Sequence, residues 1–274
     1  ALPEGGMSTY QDSVEVCTRY QCWEKERLLP WIFSRSKVNM KLRLGMNKFI
    51  DSKYQTSENY WRNKGHLFSS IYATRNPLKI PNRLFLERRM KVVKEFLDDD
   101  KYAQVVDIGC GSGEFTRVLS QYYGKVIGVD YSSLMIHTAM SSNTAKNVSF
   151  LEANCTSVPL DNECADAVFS MGLLDYVDNV DAAISEFARL LKPGGTVIFT
   201  IPKSPSLFAP LRWSTYMRSL LFEIPPILNA YRCSQVDESL LKAALVREQC
   251  VSIWTTMWVV CATKANIDVD NLNL

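Results

Sequence analysis

The chain has 274 residues, 47% of them apolar and 22% charged, with a net charge of +2. That supplies ample material for a buried core and excludes the highly charged, apolar-poor class of disordered chains. No stretch reaches the roughly 18 consecutive apolar residues of a membrane span, and no compact Lys/Arg tract interleaved with aromatics points to nucleic acid.

The charge is unevenly spread. Residues 1–101 hold 19 Lys/Arg against 12 Asp/Glu, while 102–274 hold 12 against 17. A basic first third suits an acidic substrate, an acidic carrier or an anionic membrane surface, and is equally what a solvated helical face would show. Eight cysteines at 17, 22, 110, 155, 164, 233, 250 and 261 include no CxxC pair, so neither a zinc knuckle nor a dithiol redox motif is signalled and no metal is expected. Reduced thiols and the lack of a charged lead before a long apolar run give a cytoplasmic expectation. Residues 1–6, ALPEGG, precede Met7 and read as an appended remnant.

From residue 8 to about 100 the pattern is mainly helical, forming an N-terminal extension. DSVEVCTRYQCWEKERLLPWIF places apolar residues at Val14, Val16, Cys17, Tyr20, Trp23, Leu28 and Leu29, a helical spacing ended by Pro30. RLFLERRMKVVKEFLDDD predicts a second helix through Leu84, Leu86, Met90, Val93 and Phe96, ending near Asp98.

After Lys101 short apolar runs alternate with helical stretches. AQVVDIG, KVIGVD, VSFLEAN, ADAVFSMG and TVIFTI read as strands. EFTRVLSQYY, SSLMIHTAMSS with its capping serines, and DAAISEFARLLK before a PGG turn read as the helices between them. Such alternation predicts parallel strands with right-handed crossovers, an α/β doubly wound sheet whose ligands bind outside the carboxyl ends of its strands. The final YRCSQVDESLLKAALVREQCVSIWTTMWVVCATK reads as one helix and two strands, closing the core (101–264) with an antiparallel hairpin before a short tail, 265–274.

The glycine run Gly109-Cys110-Gly111-Ser112-Gly113-Glu114 then poses the functional question. A dinucleotide fingerprint needs a third glycine where Glu114 stands, and a carboxylate there opposes a pyrophosphate at the helix start. No GK[ST] follows, which excludes a P-loop. A ligand that presents a cation meets no such obstacle.

VVDIGCGSGEF, VIGVDYS, FLEANCTSVPLDNECADAVFS and ARLLKPGGTVIFTIP, in this order over residues 105–203, resemble the sequence motifs of the class I S-adenosylmethionine-dependent methyltransferases, small-molecule branch. The resemblance implies a Rossmann-like, mostly parallel seven-stranded sheet with helices on both faces, an N-terminal helical extension and a helical lid insertion at about 204–232. It implies S-adenosyl-L-methionine as cofactor, held by Asp107, Gly109, Cys110, Gly111 and Gly113, with Asp130 on the ribose, Tyr131 on the adenine, and Cys155 and Met171 alongside. The family usually carries an Asp where Asn154 stands, and an amide oxygen can still accept from the adenine amino group.

Methyl transfer from a sulfonium is an in-line displacement, so holding the nucleophile near the methyl carbon does much of the work. A base is needed only if the acceptor must lose a proton. Asp175 and Tyr176, in MGLLDYV, stand where relatives often have a His, and either serve as catalytic groups or begin the next helix. Of the two histidines, His66 is a candidate base and His137 reads as structural. Tyr60, Trp61 and Tyr72 are candidate wall residues. The insertion adds Phe208, Leu211, Trp213 and Tyr216, which either line an apolar acceptor pocket or complete the core; nearby Arg212 and Arg218 would suit peripheral membrane contact. The expected acceptor is a small molecule, aromatic, polyketide-like, quinone or lipid-like, free or tethered to a carrier.

Overall fold

The computed structural model describes residues 14–16, 80–100, 103–204, 230–253 and 256–266, with side chains omitted for 14–16 and 80–86. Seven strands form the core sheet: β2 (Gln104–Ile108), β3 (Lys125–Asp130), β4 (Val148–Glu152), β5 (Ala165–Ser170), β6 (Leu191–Pro202), β7 (Leu245–Ile253) and β8 (Met257–Lys264). An eighth, β1 (Val14–Val16), extends one edge, and the order is β1-β7-β8-β6-β5-β2-β3-β4. Strands β4, β3, β2, β5 and β6 are mutually parallel, and β8 enters antiparallel between β6 and β7. The expected doubly wound sheet and closing hairpin are therefore present.

Between the strands run α1 (Ile80–Lys94), α2 (Glu114–Leu119), α3 (Ser133–Ser142), α4 (Val180–Leu190) and α5 (Cys233–Lys242). Ser132 caps α3, its Oγ accepting from Met135 N, and Asn179 caps α4, its Oδ1 accepting from Ala182 N.

Strand alternation divides the core into two layers. Val106, Ile127, Val168, Val197, Phe199 and Val260 face α4 and α5, where Ile184, Phe187, Val236 and Leu240 are fully buried. Their immediate neighbours Val105, Val126, Phe169, Ile198 and Val259 face Val92 and Val93 of α1 and Phe115 and Leu119 of α2. Phe169 lies under Phe115, ring centroids 5.7 Å apart and nearly edge-on.

Three expectations are corrected. Val14 and Val16, assigned to a helix by spacing, lie in a strand that pairs antiparallel with β7, Val14 opposite Ile253 and Val16 opposite Val251. Two β-branched residues flanking a single polar one satisfy a strand as well as a helix, and the free edge of β7 decides. Helix α1 ends at Lys94 rather than near Asp98, which keeps three aspartates away from its negative end. The sequence LKPGG, read as a turn before a strand, is a bulge within β6: Ala165 faces Leu191 but Ala167 already faces Thr196. Gly194 there takes φ 75°. The expected lid, apart from its ends, and most of the N-terminal extension lie outside the described residues.

Gly128, central in β3, lets Phe150 cross over it. A Cβ there would stand 2.7 Å from the Phe150 ring and 3.2 Å from Cys110 Sγ. Gly128→Ala should therefore destabilise the fold by about 1–3 kcal/mol, through overpacking. Equilibrium denaturation would show this as a lowered midpoint at an unchanged slope.

Candidate functional site

The parallel strands deliver their carboxyl ends to one edge, and the chain turns away to opposite sides between β2 and β5. This is where a doubly wound sheet opens a crevice. The loop after β2 is built from glycine for three separate reasons. Gly109, Gly111 and Gly113 all take left-handed φ, at 77°, 53° and 78°. A Cβ on Gly109 would meet Leu173 at 2.8 Å, and one on Gly113 would meet Ala139 and Phe150 at 3.1 Å. Gly111 has nothing within 4 Å of that position. The first and third glycines thus make room for the protein's own side chains, and the middle one opens toward space that a ligand can fill.

Hydrogen bonds set the loop's path. Gly109 N and Cys110 N both donate to Val129 O, at 2.7 and 3.0 Å. Gly111 N donates to Asp130 Oδ2 at 3.0 Å, and Ser132 N to Asp130 Oδ1 at 2.9 Å. Asp130, at the end of β3, therefore holds the glycine loop and its own following turn. Burial raises its carboxyl above the ordinary value, and the backbone N–H groups of Ser132, Gly111 and Tyr131 oppose that rise.

Asp107 is buried, and Thr116 Oγ1 on α2 donates to its Oδ2 at 2.6 Å. Burial pushes this carboxyl up to about 7; the Thr116 hydrogen bond lowers it, neighbouring Asp130 raises it and Arg89 lowers it. Arg89, on α1, reaches over the loop after β5. Its Nη1 lies 2.8 Å from the point a Cβ of Gly172 would occupy, and Gly172 has φ 83°. Gly172 N in turn donates to Thr200 Oγ1 at 2.8 Å, tying this loop to β6. Cys110 is buried, its thiol held well above its ordinary pKa chiefly by desolvation, so it fills space as an inert thiol.

The segment after β4 has little regular structure and an elaborate anchor. Ala153 N donates to Asp130 O at 3.0 Å, which seats it beside β3. Asn154 is exposed, and its Oδ1 accepts from Thr156 N at 3.1 Å and Thr156 Oγ1 at 3.0 Å. The amide oxygen expected to face an adenine is thus engaged in a local turn. Further along, Glu186 Oε1 accepts from Val158 N at 2.6 Å, and Arg189 binds both Glu186 and the segment. Arg189 holds the Glu186 carboxyl below its ordinary value, against a smaller opposing effect of burial.

The structure thus gathers Asp107, Gly109, Cys110, Gly111, Gly113, Asp130, Tyr131, Asn154, Cys155 and Met171 at the carboxyl ends of four adjacent strands. Asp175 is buried and Tyr176 partly so, in a turn closed by Tyr176 N donating to Leu173 O at 3.0 Å. Helix α4 starts only at Val180, so these two residues precede the helix rather than begin it. His137 is exposed on α3. His66, Tyr60, Trp61, Tyr72, Phe208, Leu211, Trp213 and Tyr216 lie outside the described residues. Glu114 pairs with Arg117 on the exposed side of α2, which blunts the repulsion that the sequence assigned to it. Among the described residues no group of three or more His, Cys, Asp or Glu could hold a metal ion.

Sequence reasoning missed Arg89, Thr116, Thr200 and the Glu186–Arg189 pair. Arg89 and Thr200 act across the fold and carry no local signal. Thr116 stands one helical turn inside α2, and Glu186 and Arg189 stand at the i, i+3 spacing of a helix pair.

A crevice at the switch point, a glycine loop with open space over its middle residue and acids on two neighbouring strands make an edge of the kind at which doubly wound sheets bind nucleosides, and the comparisons place it among class I S-adenosylmethionine-dependent methyltransferase domains. Residues 106–199 match the family model described as a methyltransferase domain. The malonyl-[acyl-carrier protein] O-methyltransferase of Pectobacterium atrosepticum is 32% identical over 104 residues, 38% of this chain and 40% of that protein. The demethylmenaquinone methyltransferase of Lactococcus lactis is 32% identical over 126 residues, 43% and 49% of the two chains. The chain spans less than half the length of these curated relatives. Among solved structures, magnesium protoporphyrin IX methyltransferase from Synechocystis, with bound S-adenosylhomocysteine, aligns at TM-score 0.58 and 16% identity, covering 76% of this chain and 97% of that one. A methyltransferase from Aquifex aeolicus aligns at TM-score 0.55 and 22% identity, covering 72% and 98%. These two similarities are of fold. S-adenosylmethionine is the cofactor, and the residues fit it: the position over Gly111 is open, and the carboxyl groups of Asp107 and Asp130 would attract its positive charge.

The Asp107 value gives a pH dependence with a definite sign. With its folded pKa raised from 3.8 to about 7, this acid favours the fold most below about 4, and that contribution is lost as pH rises through 7. A ligand ammonium beside it prefers the ionised form, so affinity moves the other way. S-adenosylhomocysteine should bind about tenfold more tightly at pH 8 than at pH 6. Calorimetry on Asp107→Asn should show that slope flattened, with the Thr116 hydrogen bond still available.

Proposed function

We propose that this chain transfers the methyl group of S-adenosylmethionine to a small-molecule acceptor, aromatic, polyketide-like, quinone or lipid-like, mainly by holding it in line with the methyl carbon. The observation that carries the reading is the Asp130 carboxylate. It ends β3 and holds the glycine loop through Gly111 N, and there it would accept from the ribose hydroxyls. The cofactor supplies an activated methyl group on a sulfonium, and the chain's residues bind, orient and exclude water. Asp107 would accept from the amino group of the methionine portion. Arg89, beside Gly172, supplies positive charge on the side where the methionine carboxylate would fall.

The loop after β5 would face the acceptor. Buried Asp175 and its neighbour Tyr176 are the candidate polar groups there, together with His66; any of them takes a proton only if the acceptor must lose one. Phe208, Leu211, Trp213 and Tyr216, with Tyr60, Trp61 and Tyr72, would wall an apolar acceptor. A carrier-tethered acceptor is the favoured variant. The basic residues 1–101 suit an acidic carrier, and a malonyl-carrier methyltransferase is among the relatives. Among the described residues no helix is long and apolar enough to cross a membrane.

The test is turnover. S-adenosylhomocysteine release should be stimulated by one acceptor class in a panel of free phenols, quinones and fatty acids set beside the same acyl groups on a carrier protein. Tight cofactor binding with no turnover on any acceptor would instead support a non-catalytic nucleotide-binding scaffold. Asp130→Ala should weaken S-adenosylhomocysteine binding by about 10- to 100-fold, since it removes charged acceptors and unseats Gly111. Unchanged affinity in a folded variant would overturn the ribose assignment.

A further inference from the structure

We propose that the outer edge of β4 is a self-association surface, on which a second copy of this chain seats its own β4 antiparallel about a two-fold axis through Ser149. The inference goes beyond the cofactor and acceptor readings and does not depend on them.

A strand at the end of a sheet presents a row of backbone N–H and C=O groups, and proteins pair, cover or guard such edges. At one end of this sheet β1 lies along β7. At the other end β4 is the last strand, and no described strand lies beyond it. Asn147 O accepts from Val126 N at 2.9 Å, and Ala153 N donates to Asp130 O at 3.0 Å, so the odd-numbered residues here turn their backbone groups toward β3. By alternation Val148, Phe150 and Glu152 turn theirs outward. Val148 N makes only a long bond, 3.4 Å, to Ala145 O in the turn that enters the strand.

The middle of this edge is apolar and its two ends carry opposite charges. Met140 of α3, 53% exposed, joins Val148 and Phe150 around a cavity of about 260 Å³ beside the strand. Lys146 and Glu152 are both exposed. A lysine alone would guard the edge against pairing. Set symmetrically with Glu152 about Ser149, it selects one pairing instead.

Only residues with outward backbone groups can exchange hydrogen bonds with a new strand, which leaves few registers for antiparallel self-pairing. Centred on Ser149, Val148 faces Phe150 of the second copy and Lys146 faces Glu152, and the symmetry makes each pair twice. A β-branched residue opposite an aromatic one, and opposite charges facing each other, are favourable cross-strand pairs. Centred on Val148, Lys146 would face Phe150; centred on Phe150, Glu152 would face Val148. Apolar matching and charge complementarity therefore select the same register. Antiparallel pairing also directs the carboxyl edges of the two sheets opposite ways, so one copy's glycine loop does not face the other's.

One strand edge and part of one helix make a small interface, so the dimer should be concentration-dependent. Sedimentation velocity of the full chain from about 5 to 200 μM should show a monomer–dimer equilibrium. Lys146→Glu and Glu152→Lys should each raise the dissociation constant by about tenfold or more, because each reversal sets like charges against each other at both pairs. The double variant Lys146→Glu/Glu152→Lys should return to within about threefold of wild type, and an equimolar mixture of the two single variants should associate, since their charges match across the axis. Ser149→Cys places two thiols on the axis, where facing Cα atoms of a non-hydrogen-bonded pair stand about 4.5 Å apart, within disulfide reach. With diamide as the oxidant that takes up the two thiol hydrogens, this variant should give a reducible covalent dimer above the wild-type background. Glu152→Cys, about 20 Å from its counterpart in this register, should not.

A wild-type chain that stays monomeric at about 200 μM overturns the proposal and leaves the edge to a different partner. A dimer indifferent to both charge reversals overturns it as well, and so does a double variant that remains monomeric. If a charge variant fails to fold by circular dichroism, Ser149→Cys decides, the absence of a covalent dimer counting against this edge.

Discussion

Two backbone N–H groups on one carbonyl hold the site together. Gly109 N and Cys110 N converge on Val129 O, and the next donor, Gly111 N, falls on the Asp130 side chain. With these three bonds the chain leaving β2 is folded back against the end of β3, and only left-handed backbone can follow that path. The rest of the edge is organised around this reversal: Leu173 rests on Gly109, and Phe150 and Ala139 rest against Gly113.

The electrostatics follow from the same geometry. Two carboxylates are brought close in a site that α1 and α2 partly cover, and burial raises both. Thr116, Arg89 and the backbone donors temper the rise without cancelling it. The result is a site poised to welcome positive charge, which matches a sulfonium cofactor and opposes a pyrophosphate. The argument against a pyrophosphate moves with it: the sequence assigned that role to Glu114, and the structure assigns it to buried Asp107 and partly buried Asp130.

Outside this centre, precision comes from side chains that carry load across elements. Arg189 and Glu186 shape the segment after β4, Thr200 holds the loop after β5, and Asp181 joins α4 to Ser239 and Lys242 of α5. Each tether ends on a loop or on a helix packed against the sheet. Loops that must meet a ligand are irregular, and a rigid scaffold has to position them from outside.

The sequence by itself determined the order of strands and helices from Gln104 to Ser170, the capped start of α3 and the positions of Asp107, Asp130 and the three glycines. These are local matters: alternation, capping and left-handed φ are written in neighbouring residues. Tertiary structure alone decided that Val14–Val16 is a strand, since the free edge of β7 outweighs a helical spacing. It alone separated Gly111, which faces open space, from Gly109 and Gly113, which abut side chains far away in sequence. It also recruited Arg89 from α1. A residue's partners across the fold depend on how β-strands and helices pack, and no window of sequence contains that information.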